Sequence, residues 1–182
     1  FGSKYAVATD SCTHAIELCL RYLDIKNNIS FPNHTYVGVP LLAYKLNLKW
    51  SWNFDKWKDY YFIHGTNIID AAVLWKKNSY IKKTFMCLSF QFQKHINIGK
   101  GGMILLDSKK AYKDLIKMSY DGRKRYIPWR NQNIDNIGYH YYLTPEAAEK
   151  GLKIFGKKYN KTPKNWTYLD YPDLSKMKVF NR

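Results

Sequence analysis

Short apolar runs that stop on small polar residues alternate along this chain with segments of helical period, and that alternation leaves few architectures open. Residues 4–8 form one such run, ending at Asp10-Ser11-Cys12-Thr13, after which Ala15, Ile16, Leu18, Cys19, Leu20, Tyr22 and Leu23 recur at helical spacing. A second strand is predicted around 29–31, followed by Pro32-Asn33-His34-Thr35 and by the apolar density of a buried helix over 37–44. Residues 45–61 carry tryptophan and lysine without clear period and read as a variable connection with a short edge strand at 48–52. Further strands are predicted at 60–63, 66–69, 84–90 and 103–106, the last two joined by a hairpin-like return through the glycine turn at 99–102. Amphipathic helices are predicted over 108–120 and over 144–156, the latter with Thr144 as N-cap and Pro145 at the first helical position. From Lys157 the sequence turns lysine-, tyrosine- and proline-rich and is expected to be irregular and to pack onto another surface. The pattern predicts an α/β three-layer sandwich on a mostly parallel sheet, a domain over 1–156 and a tail over 157–182, with ligands bound beyond the carboxyl ends of the strands.

Composition narrows the function classes. The chain has 182 residues, enough for one domain, and its 46% apolar and 24% charged residues exclude disorder as its main description. A formal charge of +16 favours an anionic partner. Only five of the thirty basic residues are arginine, which disfavours a sequence-specific nucleic-acid reader. Three cysteines, two of them seven residues apart on one predicted helix, do not make a disulfide framework and point to a reducing compartment. No apolar stretch is long enough to span a membrane and no signal-peptide plan opens the sequence, so a cytoplasmic protein is expected. The histidines lack metal-ligand spacing, and no metal is expected.

Three places carry chemistry. Ser11-Cys12-Thr13, between a strand and the first turn of a helix, offers hydroxyls, free N–H groups and the positive end of a helix dipole to a phosphate, although an ordinary helix cap uses the same residues. Asp70 ends the strand Ile68-Ile69-Asp70-Ala71-Ala72, where a carboxylate beside small neighbours can keep the ring nitrogen of a flat heterocycle protonated, or simply cap a helix. Lys94 follows a strand and precedes a glycine turn, a setting in which a lysine of lowered pKa becomes a nucleophile toward an aldehyde; it is also one of 25 lysines.

Taken together these segments resemble the sugar aminotransferases of the DegT/DnrJ/EryC1/StrS family, pyridoxal-phosphate enzymes of fold type I. Phe1-Gly2-Ser3-Lys4-Tyr5-Ala6-Val7-Ala8 and Ser11-Cys12-Thr13-His14-Ala15-Ile16 are similar to the family's first strand and its S-G-T-x-A-L phosphate turn. Pro32-Asn33-His34-Thr35-Tyr36-Val37 resembles the P-x-x-T-aromatic segment, and Ile69-Asp70-Ala71-Ala72 the E-D-A-A-H strand end. Ser89 through Gly102 keeps the spacing of S-F-x-x-x-K-x-x-x-x-G-x-G-G, the most specific of the matches.

The resemblance implies a reduced large domain binding pyridoxal 5'-phosphate. In it Lys94 would form the Schiff base, Asp70 would pair with the pyridine nitrogen and Tyr36 would stack on the ring. Ser11, Cys12, Thr13 and Ser89 would hold the phosphate. His140, in Gly138-Tyr139-His140-Tyr141, would reach the phosphate of a neighbouring subunit, making a homodimer with shared active sites. The implied reaction moves an amino group from an amino acid, glutamate by expectation, to a keto-sugar carried on a nucleotide. Val73, Cys12 and His140 depart from the family's usual histidine or glutamine, glycine and asparagine. Residues 50–69 are also shorter than the family's equivalent, and the small C-terminal domain is largely absent from the match, which covers 1–155. Two alternatives remain open: a homologue that binds the cofactor without turnover, and a basic nucleic-acid-binding domain whose aromatics stack bases.

Overall fold

The computed structural model describes residues 1–181. Its elements follow the order β1 (Tyr5–Thr9), α1 (Cys12–Tyr22), β2 (Ile29–Pro32), α2 (Gly38–Lys45), β3 (Trp50–Asn53), β4 (Tyr61–Ile63), β5 (Ile68–Asp70), β6 (Phe85–Ser89), β7 (Gly102–Leu106), α3 (Lys109–Met118) and α4 (Pro145–Lys158). All the predicted elements form. The strand expected at the edge over 48–52 is β3, which pairs in parallel with β2 across α2 as a separate βαβ unit.

The main sheet has the order β1-β7-β6-β5-β4 and corrects the expectation of a mostly parallel arrangement. Only β5 and β6 are parallel neighbours; β1 with β7, β7 with β6, and β5 with β4 are antiparallel. The connections decide this. Residues 64–67 between β4 and β5 are too few for a crossover and can only turn the chain back, with Gly65 at φ +80° in the bend. The return from β6 to β7 has no helix and is pinned by Phe90 N–H donating to Gly101 O at 2.8 Å and Ile98 N–H to Phe90 O at 3.0 Å. Nevertheless β1, β5 and β6 run in one direction, so Thr9, Asp70 and Ser89 end at the same edge.

Side chains alternate across the sheet with the period-two rule of extended chain. Ile68, Cys87, Ile104 and Leu106 face the core shared with α1 and α3, while Ile69, Met86, Leu88 and Leu105 face the opposite side. That second face is covered by Leu74, Tyr80, Ile81 and Phe1, from irregular chain, where the sandwich expectation had placed a helical layer. Cys19 and Cys87 are buried thiols with sulfurs 3.9 Å apart. No helix of the described residues is long and apolar enough to cross a membrane.

Beyond α4 the chain makes only short 3₁₀ turns and folds back on its own domain. Phe180 lies edge-on to Trp52 at 5.2 Å, and Leu174 is buried with its N–H donating to Asn33 O at 2.8 Å.

One buried charge ties the helices together. Glu17, fully inaccessible on α1, accepts from Arg21 Nε and Lys45 Nζ, each at 2.9 Å, and from Tyr141 Oη at 3.2 Å. Burial alone would raise its pKa, but the hydrogen bonds from Lys45 and Arg21 outweigh that and hold the carboxyl below its ordinary range. A carboxyl lowered by folding contributes stability above its unfolded pKa of about 4.5 and loses it as pH falls through the folded value. Glu17→Gln is therefore expected to cost about 2 kcal/mol at neutral pH, since both cations keep partial solvation, and to converge with the parent in acid. Denaturant unfolding from pH 3 to 8 measures this; parallel stability profiles would contradict it.

Candidate active site

The shared edge of β1, β5 and β6 opens into a cavity of about 340 Å³, within the range of small-molecule sites. Its floor is the β1–α1 turn. Ser11 caps α1 by accepting from His14 N–H at 3.1 Å, and Thr9 Oγ1 donates to Ser11 O at 2.9 Å. Asp10 is held by His14 Nδ1 at 2.6 Å and Lys100 Nζ at 2.9 Å, while the His14 ring stacks on Tyr141 at 3.7 Å. The turn also presses against β7: a Cβ on Gly102 would overlap the Ser11 carbonyl carbon and the Cys12 nitrogen, so only glycine permits this approach. Ser11, Cys12 and Thr13 consequently line the cavity at the helix N-terminus. Burial pushes the Cys12 thiol well up, with the Asp70 charge adding to the effect, so Cys12 is a neutral donor there.

Asp70, at the end of β5, is 5% exposed. Its Oδ2 accepts from Tyr61 Oη at 2.6 Å and its Oδ1 from Ala72 N–H at 2.9 Å. Thr35 extends the chain by bonding to the same Tyr61 hydroxyl. Burial is the largest influence and raises the Asp70 carboxyl; the Tyr61 and Ala72 bonds and the charge of Lys94 oppose it. No helix follows Asp70 before β6, so the helix cap that was its alternative role does not form; Oδ1 instead closes a local turn with Ala72 N–H, while the other oxygen faces the Tyr61 hydroxyl inside the cavity wall.

Lys94 enters from the β6–β7 return. A turn closed by Lys94 N–H to Gln91 O at 2.8 Å, and Ser89 Oγ accepting from Gln91 N–H at 3.3 Å, fix where the side chain starts. Burial lowers the Lys94 pKa, against the raising effect of Asp70. Its amine donates to Tyr171 Oη at 3.1 Å and sits 4.5 Å from the centre of the Trp166 ring. Lys94 is thus distinguished from the solvated lysines by where the fold puts it.

Seven of the eight expected site residues meet around this cavity: Ser11, Cys12, Thr13, Tyr36, Asp70, Ser89 and Lys94. The eighth, His140, lies outside it, its side chain 69% exposed and paired with Asp121 at 3.1 Å. Residues that the sequence did not single out also line the cavity: Tyr61, Trp57, Lys100 and Tyr171. Lys100 stood inside the motif that contains Lys94, and Tyr61 follows from the β4–β5 register, which sets it opposite Asp70. For Tyr171 the sequence carries no such signal. Among the described residues no group of three or more His, Cys, Asp or Glu is arranged to hold a metal.

The model of the DegT/DnrJ/EryC1/StrS aminotransferase family matches residues 64–157, more than half of the chain and the part that holds both Asp70 and Lys94. The chain belongs to this family. Solved structures agree in fold. AtS13 from Actinomadura melliaura superposes with a TM-score of 0.73 at 17% identity, over 85% of this chain and 56% of its own. Helicobacter pylori PseC, an aminotransferase involved in the biosynthesis of pseudoaminic acid, gives 0.67 at 13% identity, over 87% and 54%. NtdA from Bacillus subtilis, solved with bound cofactor PMP, gives 0.61 at 18% identity, over 83% and 44%. The chain therefore spans about half the length of the solved structures it matches. No curated protein matches it in sequence. The 64–67 turn makes β4 an antiparallel neighbour of β5 and brings Tyr61 to the aspartate.

Proposed function

We propose that this chain binds pyridoxal 5'-phosphate and transfers an amino group from an amino acid, with glutamate as donor, to a keto-sugar linked to a nucleotide. The observation that carries the reading is one lysine of lowered pKa and one buried carboxylate lining the same cavity, the carboxylate at the end of β5 and the lysine on the β6–β7 return, within segments that resemble the family's motifs. The donor set suits the cofactor. A cationic ring nitrogen would offset the burial that raises Asp70, since a buried carboxylate without a full counter-charge is costly. Hydroxyls at the start of α1, with Ser89 beside them, suit a phosphate, and Lys100 lines the same mouth.

When bound, the cofactor supplies an aldehyde that exchanges amines and a ring that takes up carbanion charge. Asp70 holds a proton at the ring nitrogen, and Tyr61 and Ala72 N–H orient its two oxygens for that task. Lys94 Nζ, neutral more readily than a solvated lysine, would attach the cofactor and would serve as the base that moves a proton from the donor's α-carbon to the carbon that carried the aldehyde. Ser11, Thr13 and Ser89 hold the phosphate, Cys12 closes the floor, and Tyr36, half exposed at the rim, covers the ring. Lys100, which lines the cavity, attracts the pyrophosphate of the acceptor. His140, free of its own chain's cavity, serves the neighbouring subunit of a homodimer. Free buried cysteines fit a cytoplasmic location.

The test is to saturate the purified chain with pyridoxal phosphate, reduce with borohydride and map the modified peptide. Fixation at Lys94, with a visible absorption band that disappears on reduction, is the expected result. An unmodified Lys94 overturns the reading, and fixation without amino transfer leaves binding alone.

A further inference from the structure

The segment after α4 is anchored to the cavity rather than trailing from it. Trp166 O accepts from Asp59 N–H at 3.1 Å, Tyr168 N–H donates to Trp57 O at 3.1 Å, and Tyr171 O accepts from His34 Nδ1 at 2.7 Å. These bonds carry the Tyr171 ring to 5.5 Å from Trp57 and its hydroxyl into the cavity wall. There Tyr171 Oη meets Lys94 Nζ at 3.1 Å and bonds to no other group among the described residues. Trp166 lies against the same ammonium, at a distance suited to cation–π attraction.

We propose that the segment 166–171 is a wall of the active site, in which Tyr171 is a positioning residue whose hydroxyl holds the Lys94 amine, with Trp166 supporting the same group. The inference deepens the preceding section and rests on its reading of Lys94 as the reactive amine. Packing alone would be served equally by phenylalanine, whereas the hydroxyl is directed at the Lys94 amine, the more buried of the two lysines that line the cavity. Burial raises the Tyr171 phenol above its ordinary range, so it keeps its proton while Lys94 changes state. Toward the ammonium the phenol oxygen accepts; toward the neutral amine the phenol proton is donated. The contact therefore survives both states and keeps Nζ at the cavity wall throughout. The other charges facing Lys94 are Asp70 from β5 and Lys164 and Asp170 from the chain after α4, and the last two neutralise each other at 2.8 Å. The Cys12 thiol faces it from α1.

The test uses the full chain without cofactor. Acetic anhydride at limiting concentration is applied across a pH series, and acetylation of Lys94 and of Lys100 is followed by peptide mass spectrometry in the parent, Tyr171→Phe and Trp166→Leu. Loss of the acceptor favours the neutral amine, so in Tyr171→Phe the Lys94 midpoint is expected to move down in pH. Labelling at neutral pH should rise about tenfold, as one charge-assisted hydrogen bond implies, with Lys100 unchanged. Trp166→Leu should move the midpoint the same way. Greater access alone would raise the high-pH plateau without moving the midpoint, and an unmoved midpoint in both variants overturns the proposal. Borohydride fixation of pyridoxal phosphate is scored separately. A moved midpoint with no fixation in the parent sinks the cofactor reading alone, and fixation with an unmoved midpoint sinks the Tyr171 role alone.

Discussion

Lys94→Ala is expected to lower amino transfer from glutamate to a keto-sugar nucleotide by on the order of 10⁴-fold, with the fold intact. Two losses combine, because in the proposed function the same nitrogen attaches the cofactor and moves the proton at the donor's α-carbon. The cavity offers no second amine in an equivalent place, since Lys100 is committed to Asp10 at 2.9 Å. Added methylamine should restore part of the rate, as a small amine can enter the space left by the side chain. Single-turnover measurements with and without methylamine check this, and a variant retaining more than a tenth of the parent rate would remove Lys94 from the mechanism. Circular dichroism of the same variant should be unchanged, since Lys94 lies on the β6–β7 return outside any helix or strand.

Gly102→Ala is expected to cost about 3 kcal/mol of stability, or a fall in the unfolding midpoint of about 10 °C for a chain of this size. The added methyl would overlap backbone atoms of Ser11 and Cys12, which cannot swing aside as a side chain would. Either β7 or the β1–α1 turn must move. That turn holds the hydroxyls assigned to the phosphate, so affinity for pyridoxal phosphate should weaken together with thermal stability. Gly156→Ala is the control, because a Cβ there meets nothing within 4 Å. Equal midpoints for the two variants in a thermal melt would contradict the close approach.

The elements most readable from sequence were those whose signals are local. The cap at Ser11 and the apolar run of α1, the Thr144-Pro145 start of α4, and the serine, lysine and glycine spacing over 89–102 each depend on residues close in the chain. Five site residues, Ser11, Cys12, Thr13, Ser89 and Lys94, came from the first and last of those segments, and they meet Tyr36 and Asp70 at one cavity. Strand direction was not readable in the same way. An apolar run such as Ile68-Ile69 looks alike in a parallel or an antiparallel neighbour, and only the length and path of the connection decide between them. Tyr171 escaped for a related reason: it lies 77 residues from Lys94, in a stretch whose composition promised only irregular chain.

By itself, then, the order of residues determined which groups of this protein are the candidates for chemistry and which turns present them, because caps, glycine turns and motif spacing act over a few residues. Tertiary structure decided their state. Burial lowered Lys94 and raised Asp70, the β4–β5 hairpin set Tyr61 on the carboxylate, and the returning tail set Tyr171 on the amine. Proton affinities depend on desolvation and on neighbours gathered from distant parts of the chain, and those exist only once it has folded.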